Sequence, residues 1–330
     1  MEIYGTFGPA CVRQDTLRAM FQTGMCGLRL NLSHRSLEES REWLEIAQKA
    51  AESCGVKPQI LTDLQGPELR VGRSGLPLEL QENAVLPVEK LCLPKVLIPY
   101  LTAGQELLLD DGKLQMQLVD DKTCRVLRGG TLLPGKSVSA VGLSVALPAL
   151  TEADHANLRL AARMGVTGVM QSFVRGREDL LELRAALRQY GGEHIRIFAK
   201  VENLQGLKTL PDWMDLADCI VIARGDLGNA MPLWKLPAVQ KDIAALCNAR
   251  QKPFLVVTQM LASMEHCAVP TRAEVSDIFN AVMDGASALM LTGETAAGEY
   301  PVQAMTYLCN TAEEALRFLK MGKETTNGLY

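Results

Sequence analysis

The chain has 330 residues, 48% of them hydrophobic and 22% charged, with a net charge of −4 at pH 7. That balance excludes a disordered chain, and it excludes a basic surface that would recruit nucleic acid or an anionic membrane. What remains is an ordinary globular composition with ample length for a large core.

No run of about 18 apolar residues appears and the N-terminus lacks a signal-peptide pattern, so no membrane partner is expected. Nine cysteines are scattered without a CxxC pair. An odd number at irregular spacing reads as reduced, mostly buried thiols of a cytoplasmic protein, and it offers no zinc-site spacing.

Short apolar runs alternate with amphipathic stretches, the pattern of βα units. Residues 2–7 predict a strand and 14–23 a helix. Residues 27–32 predict a second strand and 37–53 its helix, with Ser36 as N-cap. Residues 59–63 predict a third strand. After Gly72 the rhythm changes. Residues 73–145 are rich in Leu, Val, Gly and Pro, and Asp110-Asp111-Gly112-Lys113 predicts a turn between two strand-like runs.

The alternation resumes at Leu150. Thr151 caps a predicted helix that extends through residue 163, with Asp154 in its first turn. Residues 167–173 predict a fourth strand and 177–190 its helix. Residues 197–203 predict a fifth strand, followed by a short helix that must end before Pro211. Residues 219–223 and 253–258 predict strands six and seven, with a helix over 237–249 between them. A helix follows Pro270-Thr271, residues 286–291 predict an eighth strand, and 302–319 a last helix. Residues 323–330 read as a frayed tail.

Eight strand–helix pairs with one insertion after the third strand fit a closed (β/α)8 TIM barrel better than an open doubly wound sheet. The predicted division is 1–70 with 146–330 for the barrel and 71–145 for a small β-rich lid. No Gly-rich phosphate fingerprint follows any strand, which weakens a Rossmann reading.

Polar residues gather at the carboxyl ends of the predicted strands, where barrel enzymes place their chemistry. They include Arg29, Asn31 and Ser33, then Asp63, Ser172 and Arg175. Further on come Lys200 and Glu202, then Arg224, Gly225 and Asp226, Thr258 and Gln259, and Gly293-Glu294-Thr295. Lys200 and Glu202 are two apart on a strand of the core and share one face. One reading is a buried ion pair. The other is a metal-binding carboxylate beside a cation that handles a phosphate or an enolate. Glu202 and Asp226, on neighbouring strands, could together hold one Mg²⁺, with Gly225 leaving a backbone amide open to a ligand.

These residues sit in motifs that resemble pyruvate kinase. The matching segments are Thr6-Phe7-Gly8-Pro9-Ala10, Arg29-Leu30-Asn31-Leu32-Ser33-His34 and Asp63-Leu64-Gln65-Gly66-Pro67-Glu68-Leu69-Arg70. They continue with Ser172-Phe173-Val174-Arg175, Lys200-Val201-Glu202-Asn203 and Ala223-Arg224-Gly225-Asp226-Leu227-Gly228. The last are Thr258-Gln259-Met260-Leu261-Ala262-Ser263-Met264, Pro270-Thr271-Arg272-Ala273-Glu274 and Thr292-Gly293-Glu294-Thr295-Ala296.

The resemblance implies phosphoryl transfer from phosphoenolpyruvate to ADP, giving pyruvate and ATP, with Mg²⁺ and K⁺ as cofactors. It implies Lys200 as the cation at the phosphoryl group, and Glu202 and Asp226 as Mg²⁺ ligands. Thr258 and the amides of Gly225 and Asp226 would contact the substrate carboxylate, with Thr258 near the site of enolate protonation. Arg29 and Arg70 would contact phosphates, and Asn31, His34 and Arg70 would face the nucleotide. Asn31, Ser33, Asp63 and the Leu64 carbonyl would form the K⁺ site, with Glu68 the residue type that accompanies K⁺ dependence.

Several positions depart from the family pattern. Gln65 replaces a usual lysine, Arg35 a glycine and Ala230 a glutamate, and Gly129 stands where a nucleotide-contacting lysine is usual. Family members carry a further C-terminal domain, whereas this chain stops at its last helix. The expectation is therefore a form without that domain's effector site, and with only barrel-helix faces for a homo-oligomer. Two competing readings stay open: another Mg²⁺-enolate enzyme on this barrel, a lyase or a kinase with a changed acceptor, and a non-catalytic metabolite-binding relative.

Overall fold

The computed structural model describes residues 1–72, 75–110, 112–143 and 147–327, with side chains through Met321. The chain opens with β1 (Glu2–Thr6), α1 (Gln14–Gln22), β2 (Gly27–Asn31), α2 (Arg41–Ser53) and β3 (Gln59–Asp63). A run of short strands is then inserted: β4 (Leu78–Leu80), β5 (Val85–Pro87), β6 (Glu106–Leu109), β7 (Leu114–Leu118), β8 (Thr123–Arg128), β9 (Gly130–Leu132) and β10 (Val138–Ala140). Alternation returns with α3 (Glu152–Ala161), β11 (Gly168–Gln171), α4 (Arg177–Gln189), β12 (Arg196–Val201), α5 (Leu204–Trp213), β13 (Cys219–Ala223) and α6 (Arg224–Asn229). It ends with α7 (Leu236–Ala249), β14 (Phe254–Val257), α8 (Arg272–Met283), β15 (Ala288–Leu291), α9 (Gly293–Ala296) and α10 (Pro301–Asn327).

Eight parallel strands close into a barrel in the order β1-β15-β14-β13-β12-β11-β3-β2. The two-residue period of a strand sorts the core into two layers. On β12, Phe198 joins Tyr4, Leu61, Met170, Val221, Leu255 and Met290 inside the barrel. Its neighbours Ile197, Ala199 and Val201 face outward into the layer shared with the helices. The amino ends of the strands are closed by a polar plug. Tyr4 Oη lies 2.9 Å from Glu2 Oε2 and 2.8 Å from Gln59 Oε1, and Arg196 Nη1 donates to Glu2 Oε1 at 3.0 Å.

The inserted strands form a five-stranded antiparallel sheet, β10-β6-β7-β8-β5, and a separate β4-β9 pair. They pack around their own apolar cluster, which includes Val71, Leu107, Leu109, Met116, Val126 and Val138. Of the turn predicted at 110–113, Asp111 lies outside the described residues, as do residues 144–146 at the predicted return to the barrel and residues 328–330 of the predicted tail.

Several predicted bounds differ. α2 starts at Arg41 with Ser40 as N-cap, not after Ser36. Ser36 and Glu39 do form reciprocal contacts, but Asn157 takes the Leu37 amide and Arg35 takes the Glu39 carbonyl, so that turn stays separate. α5 runs through Pro211 instead of stopping before it. Trp213, fully buried, donates its Nε1–H to Gly206 O at 3.1 Å, and Arg250 Nη1 donates to Pro211 O at 2.7 Å, side-chain contacts that fasten the helix around the proline. The helix predicted through residue 163 ends as α-helix at Ala161 and tightens to a 3₁₀ turn. α10 continues to Asn327, so 323–327 are helical rather than frayed.

Gly206 sits directly on the Val174 carbonyl, where a Cβ would collide with Val174 O. Gly206→Ala is therefore expected to lower stability by about 1–3 kcal/mol, read from the shift of the chemical-denaturation midpoint.

Candidate active site

Alternation along β12 carries the inner face from Phe198 to Lys200, and then to Glu202 just past the strand end. Lys200 Nζ lies 2.9 Å from Glu202 Oε1, 3.1 and 3.2 Å from the two Asp63 oxygens, and 3.1 Å from Ser172 Oγ. Asp63, at the end of β3, also accepts from Arg29 Nε at 2.9 Å. Arg29 Nη1 lies 3.3 Å from Thr6 Oγ1. Glu202 Oε2 accepts the Phe173 amide at 2.8 Å. Two cations and two carboxylates thus alternate as Arg29, Asp63, Lys200, Glu202 in a nearly dry setting, the Lys200 side chain being 11% exposed and Asp63 and Glu202 3% and 2%. Lys200 and Glu202 do form a buried ion pair, and Lys200 also stands at the wall of a cleft.

Burial alone would pull the Lys200 pKa down, but the charges of Asp63 and then Glu202 outweigh it and hold the ammonium above its ordinary value. Burial would likewise raise the Asp63 pKa, and Lys200 and Arg29 outweigh it in the other direction. Glu68 is pushed up by burial despite its 2.8 Å ion pair with Arg70.

The cleft has a volume of about 490 Å³. Arg29, Asn31, Ser33, His34, Asp63, Leu64, Arg70, Lys200, Gly225, Asp226 and Thr258 all line it. Glu202 faces an adjoining, mainly apolar recess of about 300 Å³ between the barrel rim and the inserted sheet, and Asp226 and Glu68 line both spaces. His155 is half-buried against the Tyr190 ring, and His194 and His266 are exposed. Thr258 and Gln259 at the end of β14, and Phe173 after β11, have φ of 79°, 53° and 53°. Left-handed backbone at three non-glycine positions on two strand exits marks conformations that the surroundings impose.

Oxygen donors of the kind that hard cations take are present. Glu202 and Asp226 supply carboxylates suited to Mg²⁺. Among the described residues no three acidic, His or Cys side chains gather as a cage, so an ion here would complete its shell with water or substrate oxygens, as Mg²⁺ does. Asn31 Oδ1 accepts the Ser33 amide at 3.1 Å, while Asp63 Oδ1 and the Leu64 carbonyl share the Ser172 hydroxyl at 3.1 and 2.8 Å. All four oxygen-bearing residues line the cleft.

The family model described as the pyruvate kinase barrel domain matches residues 1–305. The chain belongs to the pyruvate kinase family. It is 39% identical over 321 residues to the pyruvate kinase of Geobacillus stearothermophilus, an overlap covering 92% of this chain and 55% of that protein. It is 38% identical to pyruvate kinase 1 of Candida glabrata and 37% to pyruvate kinase 1 of Saccharomyces cerevisiae, covering 96% of this chain and 68% of each relative. The chain therefore spans little more than half the length of the bacterial pyruvate kinase. Among the described residues no helix is long and apolar enough to cross a membrane.

Sequence reasoning passed over three contributors. Ser172 was read only as a strand end, yet its hydroxyl ties Asp63, Leu64 and Lys200 together. Its place at the head of Ser172-Phe173-Val174-Arg175 was the available signal. Lys113 was read only as part of a turn, and it lines the cleft from the inserted sheet. Gly129 is pressed onto the Leu80 carbonyl, where a Cβ would collide. Lys113 is thus a cation that the inserted segment does present. Arg224, named only as a polar strand exit, is the third, and it ties the residue that follows β14 to Asp277 on α8.

Proposed function

We propose that this chain transfers a phosphoryl group between phosphoenolpyruvate and ADP, forming pyruvate and ATP. The observation that carries the reading is Lys200, held charged between Asp63 and Glu202 at the wall of a cleft that Arg29 also lines. The bond from phosphorus to the enol oxygen breaks, a bond from phosphorus to a terminal oxygen of ADP forms, and the enolate left behind takes a proton at its methylene carbon.

Arg29 and Lys200 would hold the phosphoryl oxygens and stabilise the charge spread over them during transfer. Lys200 would then face the enolate oxygen until protonation. Thr258 and the amides of Gly225 and Asp226 would seat the carboxylate, with Thr258 beside the carbon that is protonated. Asn31, His34 and Arg70 would address the nucleotide, and Lys113 would add a cation from above. Mg²⁺, held by Glu202 and Asp226, would supply further positive charge to substrate oxygens. K⁺ would sit among Asn31, Ser33, Asp63 and the Leu64 carbonyl.

Residues 71–145 would act as a lid whose apolar wall excludes water from the adjoining recess, over a barrel formed by 1–70 and 146–330. The nine free cysteines suit a cytoplasmic setting, and barrel helices would mediate any homo-oligomer.

A lactate-dehydrogenase-coupled assay with phosphoenolpyruvate, ADP and Mg²⁺, with and without K⁺, tests the proposal. Turnover that rises on adding K⁺ is the expected result. Silence with every nucleoside diphosphate would reject it. Glu202→Gln should raise the Mg²⁺ concentration needed for half-maximal turnover about tenfold or more, and should weaken Mg²⁺ binding by calorimetry to a similar extent.

A further inference from the structure

Thr258 is a β-branched residue at φ 79°, followed by Gln259 at φ 53°. Such a backbone persists only where neighbours hold it. The neighbour is Arg224, which opens α6 at the exit of the next strand. Its Nε and Nη2 donate to the Thr258 carbonyl at 3.1 and 2.7 Å. Nη2 also lies 2.9 Å from Met260 Sδ, and Nη1 pairs with Asp277 Oδ2 on α8 at 2.6 Å. The side chain is 11% exposed. A cation at a helix N-terminus opposes the helix dipole, so its presence there calls for a compensating role. On the other side of Thr258, a Cβ on Gly225 would come within 3.2 Å of Thr258 Cγ2. The methyl therefore rests on Gly225, and the hydroxyl is the group left for the cleft that Thr258 lines.

We propose that Arg224 is a positioning residue. Its fork clamps the carbonyl of Thr258 in the left-handed conformation and so sets where the Thr258 hydroxyl points. Asp277 is the outer anchor of that clamp. It holds the guanidinium, which itself lines the cleft, on the Thr258 carbonyl, where it would otherwise be free to turn toward a substrate phosphate and bind it unproductively. Lysine cannot replace it, because a single ammonium cannot reach the carbonyl and the carboxylate with the same planar geometry.

The inference rests on the proposed reaction, and two measurements separate its failure from the failure of that reaction. The first is exchange of the methyl protons of pyruvate into D₂O. A C–H bond breaks, the proton leaves for solvent, and the enolate regains a deuteron, with no net oxidation. The second is the ¹³C-methyl NMR signal of Thr258, which needs no turnover.

In Arg224→Met, exchange should fall about 10–100-fold, the loss expected from displacing a positioned group by about 1 Å. The Thr258 methyl signal should shift or broaden. Arg224→Lys should recover only part of the exchange. Asp277→Asn should lower kcat while leaving the KM for phosphoenolpyruvate unchanged or lower, because the released guanidinium adds ground-state binding. A silent wild-type enzyme would reject the reaction and leave the NMR signal to judge the clamp. An unmoved Thr258 signal in Arg224→Met would overturn the clamp. So would loss of exchange no larger than the loss of folded protein.

Discussion

Lys200→Met is expected to lower kcat about 10³-fold or more while leaving Mg²⁺ binding intact. A single preorganised charge at a developing anion is worth about 10²–10³ in rate. Lys200 would face both the transferring group and the enolate, so its loss touches both halves of the reaction. The substitution leaves Asp63 with Arg29 and Glu202 with the Phe173 amide. The site becomes one charge more negative, which favours a divalent cation. A calorimetric Mg²⁺ affinity equal to or tighter than wild type, beside collapsed turnover, is the expected pair of results. Turnover within a fewfold of wild type would remove Lys200 from its assigned place.

Asp63→Ala is expected to produce a large stability loss, about 3–5 kcal/mol, from the denaturation midpoint. It leaves Arg29 and Lys200 facing each other, nearly dry, without the carboxylate that both contact. The pH dependence has a definite sign. Because the Asp63 carboxyl is held below its ordinary value of 3.8, its contribution is fully present above that pH and is lost as pH falls through the lower, folded value. Because the Lys200 ammonium is held above its ordinary value of 10.5, its contribution is present below that pH and fades only as pH rises through the higher, folded value. The stability difference between wild type and Asp63→Ala should therefore stay level between about pH 5 and 9 and shrink in stronger acid. A difference that declined between pH 6 and 8 would show that some other group governs the site.

The barrel was legible because each of its strands is an apolar run followed by an amphipathic stretch, and a few of the helices open on a clear cap, such as Thr151 before α3 and Thr271 before α8. The inner face of β12 was legible for the same reason. A lysine and a glutamate two apart in an apolar strand lie on one side of it whatever the register. The rest lacked a local signal. β4, β5, β9 and β10 have three residues each, too few for a period to appear. α6 carries two glycines in Arg224-Gly225-Asp226-Leu227-Gly228-Asn229, which argue against a helix until its packing is known. The Pro211 interruption was overridden by Trp213, whose burial is a tertiary fact. The link from Arg224 to Asp277 spans 53 positions and obeys no spacing rule.

β1 is joined on one side to β2 and on the other to β15, with Gly5 opposite Leu291. On the ribosome, β1 must wait for β15, about 280 residues later, before that free edge is covered. At about 5–20 residues per second that interval is roughly 15–60 s. Through all of it the nascent chain displays an unpaired strand edge, open to pairing with other chains. Mutations that hasten aggregation during synthesis should therefore cluster on β1 and its immediate neighbours, even where they leave the finished ring undisturbed.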